Sequence, residues 1–190
     1  MKKVYVCLLA AALLSDAGSL KAQSQEEMKL WMEFMTPSDM HKMVASWDGE
    51  WKEEMTVWMD PAAPPQQMEA SCVNKMIMGG RYQEARHTGN FGGMPFEGHA
   101  LLAWDNALKK FQSTWIDNMG TGLTFMDGQW DAATRTIGFK GIMTDPMTGK
   151  PSTIRQDLRI VDENTQELTQ YSQKDGKEFK SMFIRLTRKK

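Results

Sequence analysis

The sequence predicts an all-β protein: an antiparallel up-and-down barrel of about ten strands, with a short N-terminal helical segment closing one end. Three observations predict it. From Trp47 onward apolar residues recur at every second position, the period of a strand with one buried face. Nine turn signals divide that stretch at regular intervals. No segment between turns reads as a crossover helix, so consecutive strands must pair antiparallel, and ten of them close most simply into a barrel.

The first 22 of the 190 residues have the layout of a secretory signal. Lys2 and Lys3 form a positive start, "VYVCLLAAALL" is an apolar core too short to span a bilayer, and Ala22 is a small residue at the expected cleavage point, with Ala17 as the second choice. The expected location is therefore the periplasm or the exterior, and the expected division is signal 1–22, helices 23–46 and barrel 47–190. Cleavage removes three of the 23 basic residues and one of the 24 acidic, leaving a net charge of −3. No basic block remains to act as a nucleic-acid footprint, and the terminal "RLTRKK" reads as a solvated tail. No later apolar run reaches membrane length, so no stable span is expected after cleavage. Oligomeric state is not readable from the sequence.

The stretch "SQEEMKLWMEFMTPSDMHKMVASW" is helical in period. Met28, Met32 and Met35 share one face, and Met40, Met43 and Val44 continue an apolar face after a break. Thr36 is the expected N-cap of the second helix, with Pro37 in its first position and Asp39 three residues on. Trp51, Met55, Val57 and Met59 then share a strand face opposite Lys52, Glu54 and Thr56. The next strand aligns Met68, Ala70, Cys72, Met76 and Met78. Turns follow at 61–65, 79–80, the long "TGNFGGMPFEG", 105–106, 118–122, 131–134, 145–149, 162–164 and 175–176. In a meander successive turns alternate between the barrel ends, so "TGNFGGMPFEG" and "DNMGTG" share the end away from the helices.

These residues also carry a resemblance. "TPSDMHKMVASWDGEW", "MGGR", "GGMPFEGHALLAWDN" and "FQSTWIDNMGTG" resemble, in order, the signature blocks of DUF1579, a bacterial family of unknown function. The matching positions include Pro37, His41, Gly49, Trp51, Gly80, Arg81, Met94, Pro95, Phe96, Gly98, Asp105, Trp115, Asp117, Met119, Gly120 and Thr121. The resemblance implies a calycin-like, lipocalin-like barrel, usually exported or free-standing, with no activity established for the family as a whole. Where the family often has Gly-Tyr before position 105, this chain has Ala103 and Trp104.

Trp115 and Asp117 lie two apart on one strand face at the predicted mouth. A Trp beside a carboxylate can orient a polar group of a ligand against an apolar wall; equally, an Asp before a Gly-rich run can anchor a turn. Met94, Phe96 and Met119 stand beside them. Arg81, Arg86 and Arg155 read as strand arginines and are among the few inward candidates; a guanidinium inside a barrel must be paired or must meet an anion, such as a ligand carboxylate, and the competing reading pairs them with Glu84 or Asp157 or leaves them exposed. The expected ligand-binding set is Arg81, Met94, Phe96, Trp115, Asp117, Met119 and Arg155.

Other chemistry is thinly represented. His87 and His99 flank the third turn and could approach each other, while His41 lies on a helix; without a third ligand no metal site is expected, and no haem or other cofactor. The methionines read as core, as adaptable cavity lining, or more remotely as thioether ligands for copper. Cys72 is the one cysteine after the signal, excludes an internal disulfide, and is expected to be a buried hydrophobe. No nucleophile elbow, supported Cys–His pair or phosphate loop is present, so no catalytic residue is named. The expected function is non-covalent binding of a small apolar or amphipathic ligand in a barrel cavity. The alternatives are a structural or interaction module whose barrel is filled by its own side chains, and a haem or metal-binding barrel or enzyme.

Overall fold

A computed structural model of the protein describes residues 24–190. The secretory-signal reading falls on residues 1–22, outside the described ones. Two compact units divide at Thr36/Pro37. In the first, residues 24–35 form helix α1, which exposes Met28, Trp31, Met32, Phe34 and Met35. Its Met28, Met32 and Met35 face is thus not a buried one. Trp31 and Phe34, three residues apart, meet edge to face at 6.1 Å. Among the described residues no helix is long and apolar enough to cross a membrane.

The second unit begins with helix α2, Asp39–Ala45. Its N-cap is Ser38 rather than Thr36, because His41 Nδ1 reaches back to accept the Ser38 backbone N–H at 2.9 Å. Thr36 instead ends the preceding helix, its hydroxyl donating to the Met32 carbonyl. Ten strands follow: β1 Gly49–Val57, β2 Gln66–Ile77, β3 Tyr82–Phe91, β4 Met94–Asp105, β5 Lys110–Asp117, β6 Thr124–Asp131, β7 Thr136–Thr144, β8 Pro151–Ile160, β9 Thr165–Lys174 and β10 Lys177–Arg188. Each pairs antiparallel with the next, and β10 pairs with β1, so the sheet is a closed barrel with no free edge.

All nine turns fall at the expected places, but the third is not a long loop. β3 runs on to Phe91 and β4 starts at Met94, leaving Gly92 and Gly93 as a two-residue hairpin. Both have positive φ, 63° and 92°, the backbone that a tight hairpin of this kind requires and that glycine adopts without strain.

Period two decides which side chains fill the barrel. Trp51, Met55, Cys72, Phe111, Met126, Ile137, Phe139, Ile154, Ile184 and Leu186 form one buried cluster. Glu53 lies between Trp51 and Met55 on the same face, so alternation forces it inward. Met59 and Met78, expected on buried faces, lie beyond their strand ends and are exposed.

One end is closed by α2 and the residues after it. Val44 and Trp47 are buried, and Met40 and Met43 pack against the core. Gln83 donates to the Val44 carbonyl at 2.8 Å and to Asp48 at 2.9 Å; Trp51 Nε1 donates to the Trp47 carbonyl at 2.9 Å. Arg188, read from sequence as part of a solvated tail, spans this end instead. Its guanidinium lies 4.4 Å from the Trp51 ring centre and donates to the Ser46 and Asp48 carbonyls.

Candidate functional site

The opposite end holds the β1–β2, β3–β4, β5–β6, β7–β8 and β9–β10 turns. Register explains how β3, β4 and β5 build its inner wall. His87 pairs with Gly98 and Gly98 with Asp117; two residues further toward α2, Ala100 pairs with Trp115. Gly98 makes room for the indole, since a Cβ there would lie 2.5 Å from the Trp115 ring. Phe91 and Phe96 stack at 4.3 Å, Phe96 lies parallel to Trp115 at 6.4 Å, and the edge of His87 meets Trp115 at 5.0 Å. An aromatic wall thus runs from the Gly92–Gly93 hairpin into the barrel.

Asp117 holds this wall and the next turn together. One carboxylate oxygen accepts the Trp115 indole N–H at 2.7 Å, and the other accepts the Met119 backbone N–H at 2.9 Å. Asn118 continues the pairing beyond the strand by bonding to Glu97 and to the Pro95 carbonyl. The turn-anchor reading of Asp117 therefore has direct geometric support.

Above the wall, the rim is apolar and exposed. Met59, Met94, Met119, Leu123 and Met147 come from four of the five turns at this end. Such side chains make adaptable contacts with apolar molecules. Toward the α2 end the interior is occupied by the protein itself: Trp51, Phe111 and Ile137 have essentially no exposure.

Deeper on β1, β2 and β3 lies a polar cluster. Glu53 is 2% exposed, Cys72 1%, and the His87 side chain 14%. His87 Nδ1 is 3.1 Å and 3.2 Å from the two Glu53 carboxylate oxygens, and Nε2 is 3.7 Å from Cys72 Sγ. The Cys72 thiol donates to Asn74 Oδ1 at 3.1 Å. Burial, and secondarily the Glu53 charge, push the thiol far above its ordinary pKa, so this cysteine rests as a thiol and not as a nucleophilic thiolate. One ligand-type atom from each of Glu53, Cys72 and His87 lies within 4.8 Å of the others.

Sequence reasoning missed this cluster, although a signal existed. Glu53 shares its parity with Trp51 and Met55, and a carboxylate on an apolar strand face needs an internal partner. The pairing of Cys72 with His87 across β2 and β3 needed the register, which the sequence does not state.

The predicted site residues separate into three places. Phe96, Trp115 and Asp117 come together inside the mouth, with Met94 and Met119 on its rim. Arg81 lies at the α2 end, beside His41 and Gln83. Arg155 lies on the outer surface, bonded to Asp157 at 2.5 Å and Glu178 at 2.9 Å, with its guanidinium 3.7 Å from the Tyr171 ring centre. Arg86 is also external and pairs with Glu84. Both follow the ion-pair reading, and neither faces the barrel interior. His87 and His99 do not approach each other: His87 points inward, while His99 is bonded to Glu84 outside.

Two further hollows bear on the site. A cleft of about 570 Å³ lies outside the barrel over β6–β9, lined by polar residues including Gln129, Asp157, Arg159 and Glu167. A crevice under α2, lined by His41, Val44 and Met76 among others, is too narrow for water.

None of the curated proteins matches the sequence. A family model described as "Protein of unknown function (DUF1579)" matches residues 36–188. That span takes in α2, the whole barrel and every residue of the mouth and the polar cluster. The chain belongs to the DUF1579 family.

Proposed function

We propose that the protein is exported and binds a small, mostly apolar or amphipathic ligand non-covalently at the mouth of its barrel. The observation that carries this reading is the rim: Met94, Met119, Leu123 and Met147 are each exposed at the barrel end that holds the Phe91–Phe96–Trp115 wall. Because the interior is filled by core side chains, the ligand lies against the wall and the rim, not in a deep cavity. Apolar contact supplies affinity there, and the wide chemical tolerance of methionine suits varied ligand shapes. Export rests on the layout of residues 1–22.

Native mass spectrometry of freshly purified protein, followed by titration with a long-chain fatty acid monitored by tryptophan fluorescence, tests the binding. A saturable signal is expected, weakened roughly fivefold by Met94→Gln or Met119→Gln, as loss of one or two buried methylene equivalents implies. No added mass and no saturation would overturn it. N-terminal sequencing tests export: a mature start at Gln23 supports it, and exported protein still beginning at Met1 refutes it.

A second reading is a self-filled interaction module. It is favoured by the packed interior and by Asp117, both of whose oxygens are already used within the protein. The same titration separates the two.

A further inference from the structure

We propose that Cys72, His87 and Glu53 form a binding site for one Zn²⁺ ion inside the barrel, with Cys72 Sγ and His87 Nε2 as direct ligands and the Glu53 carboxylate holding His87 through Nδ1. The site stands apart from ligand binding at the mouth and does not depend on it.

Distance is the first argument. Tetrahedral zinc with bonds of about 2.3 Å to sulfur and about 2.0–2.1 Å to nitrogen separates those two ligand atoms by roughly 3.6 Å. Cys72 Sγ and His87 Nε2 are 3.7 Å apart, so an ion fits between them with little movement. Ligand orientation is the second. A metal-bound histidine commonly donates its other ring N–H to a carboxylate, which fixes the tautomer and aims the free nitrogen. Glu53 stands at Nδ1 in that relation. Asn74 is oriented as well: its Nδ2 donates to the Trp47 carbonyl, which leaves Oδ1 to accept the Cys72 thiol. Water can take the remaining positions.

Charge is the third argument. A carboxylate at 2% exposure is costly unless it is compensated. On binding, the Cys72 S–H bond breaks, the proton leaves to solvent, and sulfur donates its electron pair to zinc. The thiolate and the Glu53 carboxylate then carry two negative charges against the two positive charges of the ion, and the buried site is neutral. On the β2 side space has been left for the carboxylate, since Glu53 pairs with Ala70 and Ala70 with Gly89, while on the β10 side it pairs with the buried Leu186. His87 keeps 14% of its side chain exposed, so the cluster is not wholly sealed from solvent.

The test uses the full chain freed of metal by dialysis against a chelator, then titrated separately with Zn²⁺, Co²⁺ and Cu⁺. The expected result is one Zn²⁺ per chain by elemental mass spectrometry, release of one proton per ion at neutral pH, and a thiolate-to-cobalt charge-transfer band in the near ultraviolet. Cys72→Ser should abolish the band, and His87→Gln should weaken binding at least as strongly. Glu53→Gln should bind about 10–100-fold more weakly, the usual effect of losing a partner behind a ligating histidine. Should a variant fail to fold, the band and the proton count of the unaltered protein decide the matter. Absence of saturable zinc binding, cobalt binding without the thiolate band, an unchanged Cys72→Ser titration, or uptake of Cu⁺ with no uptake of Zn²⁺ would each overturn the assignment. The first of these would leave the cluster as an internally satisfied hydrogen-bond network.

Discussion

The two ends of the barrel are built from the same ten strands and finished in opposite ways. At the helix end, side chains seek backbone carbonyls across the opening: Gln83 reaches Val44, Asn74 and Trp51 reach Trp47, and Arg188 reaches Ser46. The first three of these bonds satisfy buried polar groups that a bare barrel end would leave without a partner. At the mouth, polar bonds tie turns to themselves and to adjoining strands, as in Asp117 with Met119, Asn90 with Gly93 and Asn118 with Pro95, while apolar side chains face outward. Closure stabilises one end; the other is left with surface that a molecule could cover. Stability and binding can therefore be altered separately.

The sharpest way to break this comparison is to remove a tryptophan from each end. Trp51→Ala leaves a cavity in the core and strips Arg188 of the ring beneath it, so it should cost about 3–5 kcal/mol in urea denaturation. Trp115→Ala, at a half-buried position, should cost less, about 2–3 kcal/mol, and should also remove the fluorescence response to ligand. Equal losses would mean the mouth is as tightly closed as the helix end.

Gly98→Ala sharpens the view of the mouth alone. The new methyl would meet the Trp115 ring, and displacing the indole should cost roughly 1–3 kcal/mol. In a Trp115→Ala background the same substitution should cost little. Additive losses would show that the clash lies elsewhere.

Asp117→Ala leaves the Trp115 indole N–H and the Met119 N–H without their acceptor and should cost on the order of 1–3 kcal/mol. Asp117→Asn keeps one acceptor oxygen and should fall between the unaltered protein and the alanine variant. If both variants are as stable as the parent but bind fatty acid poorly, Asp117 is a ligand contact and the turn-anchor account fails.

The smallest effect concerns the helix end and pH. Burial, then the Arg81 charge, lowers the pKa of His41 below its ordinary 6.5. The folded state thus disfavours the protonated ring, and the unfolded chain takes up the proton first as pH falls. The contribution of His41 is present above pH 6.5 and declines below it until the folded-state pKa is passed. His41→Gln should flatten that part of the stability profile; an unchanged slope would remove His41 from the account. Substitutions at the mouth should leave the slope alone.

Much of the fold was legible because it follows from local chemistry. Alternation from Trp51 onward sets the inward faces, and the turn residues set nine reversals; together these imply a closed meander and the sorting of its turns between two ends. The tight hairpin at Gly92–Gly93 was readable in principle, but neighbouring Gly, Asn and Pro residues made it look like a loop. The cap at Ser38 depended on His41 folding back, which a search for acidic cap partners passes over. Phe96, Trp115 and Asp117 were found because they share a strand end or a turn.

What the sequence by itself determined is what short-range physics dictates: strand period, turn positions, the burial of Cys72 and membership in a family. Only the tertiary structure decided which distant residues meet. Register across β1, β2 and β3 sets Glu53, Cys72 and His87 around one point, and a one-residue slip would send any of them outside. It likewise turned Arg86 and Arg155 to the surface and carried Arg188 back over Trp51. The physical reason is that apolar alternation marks the inner face of a strand but does not say what stands opposite each residue; that depends on closing the barrel, a property of all ten strands at once.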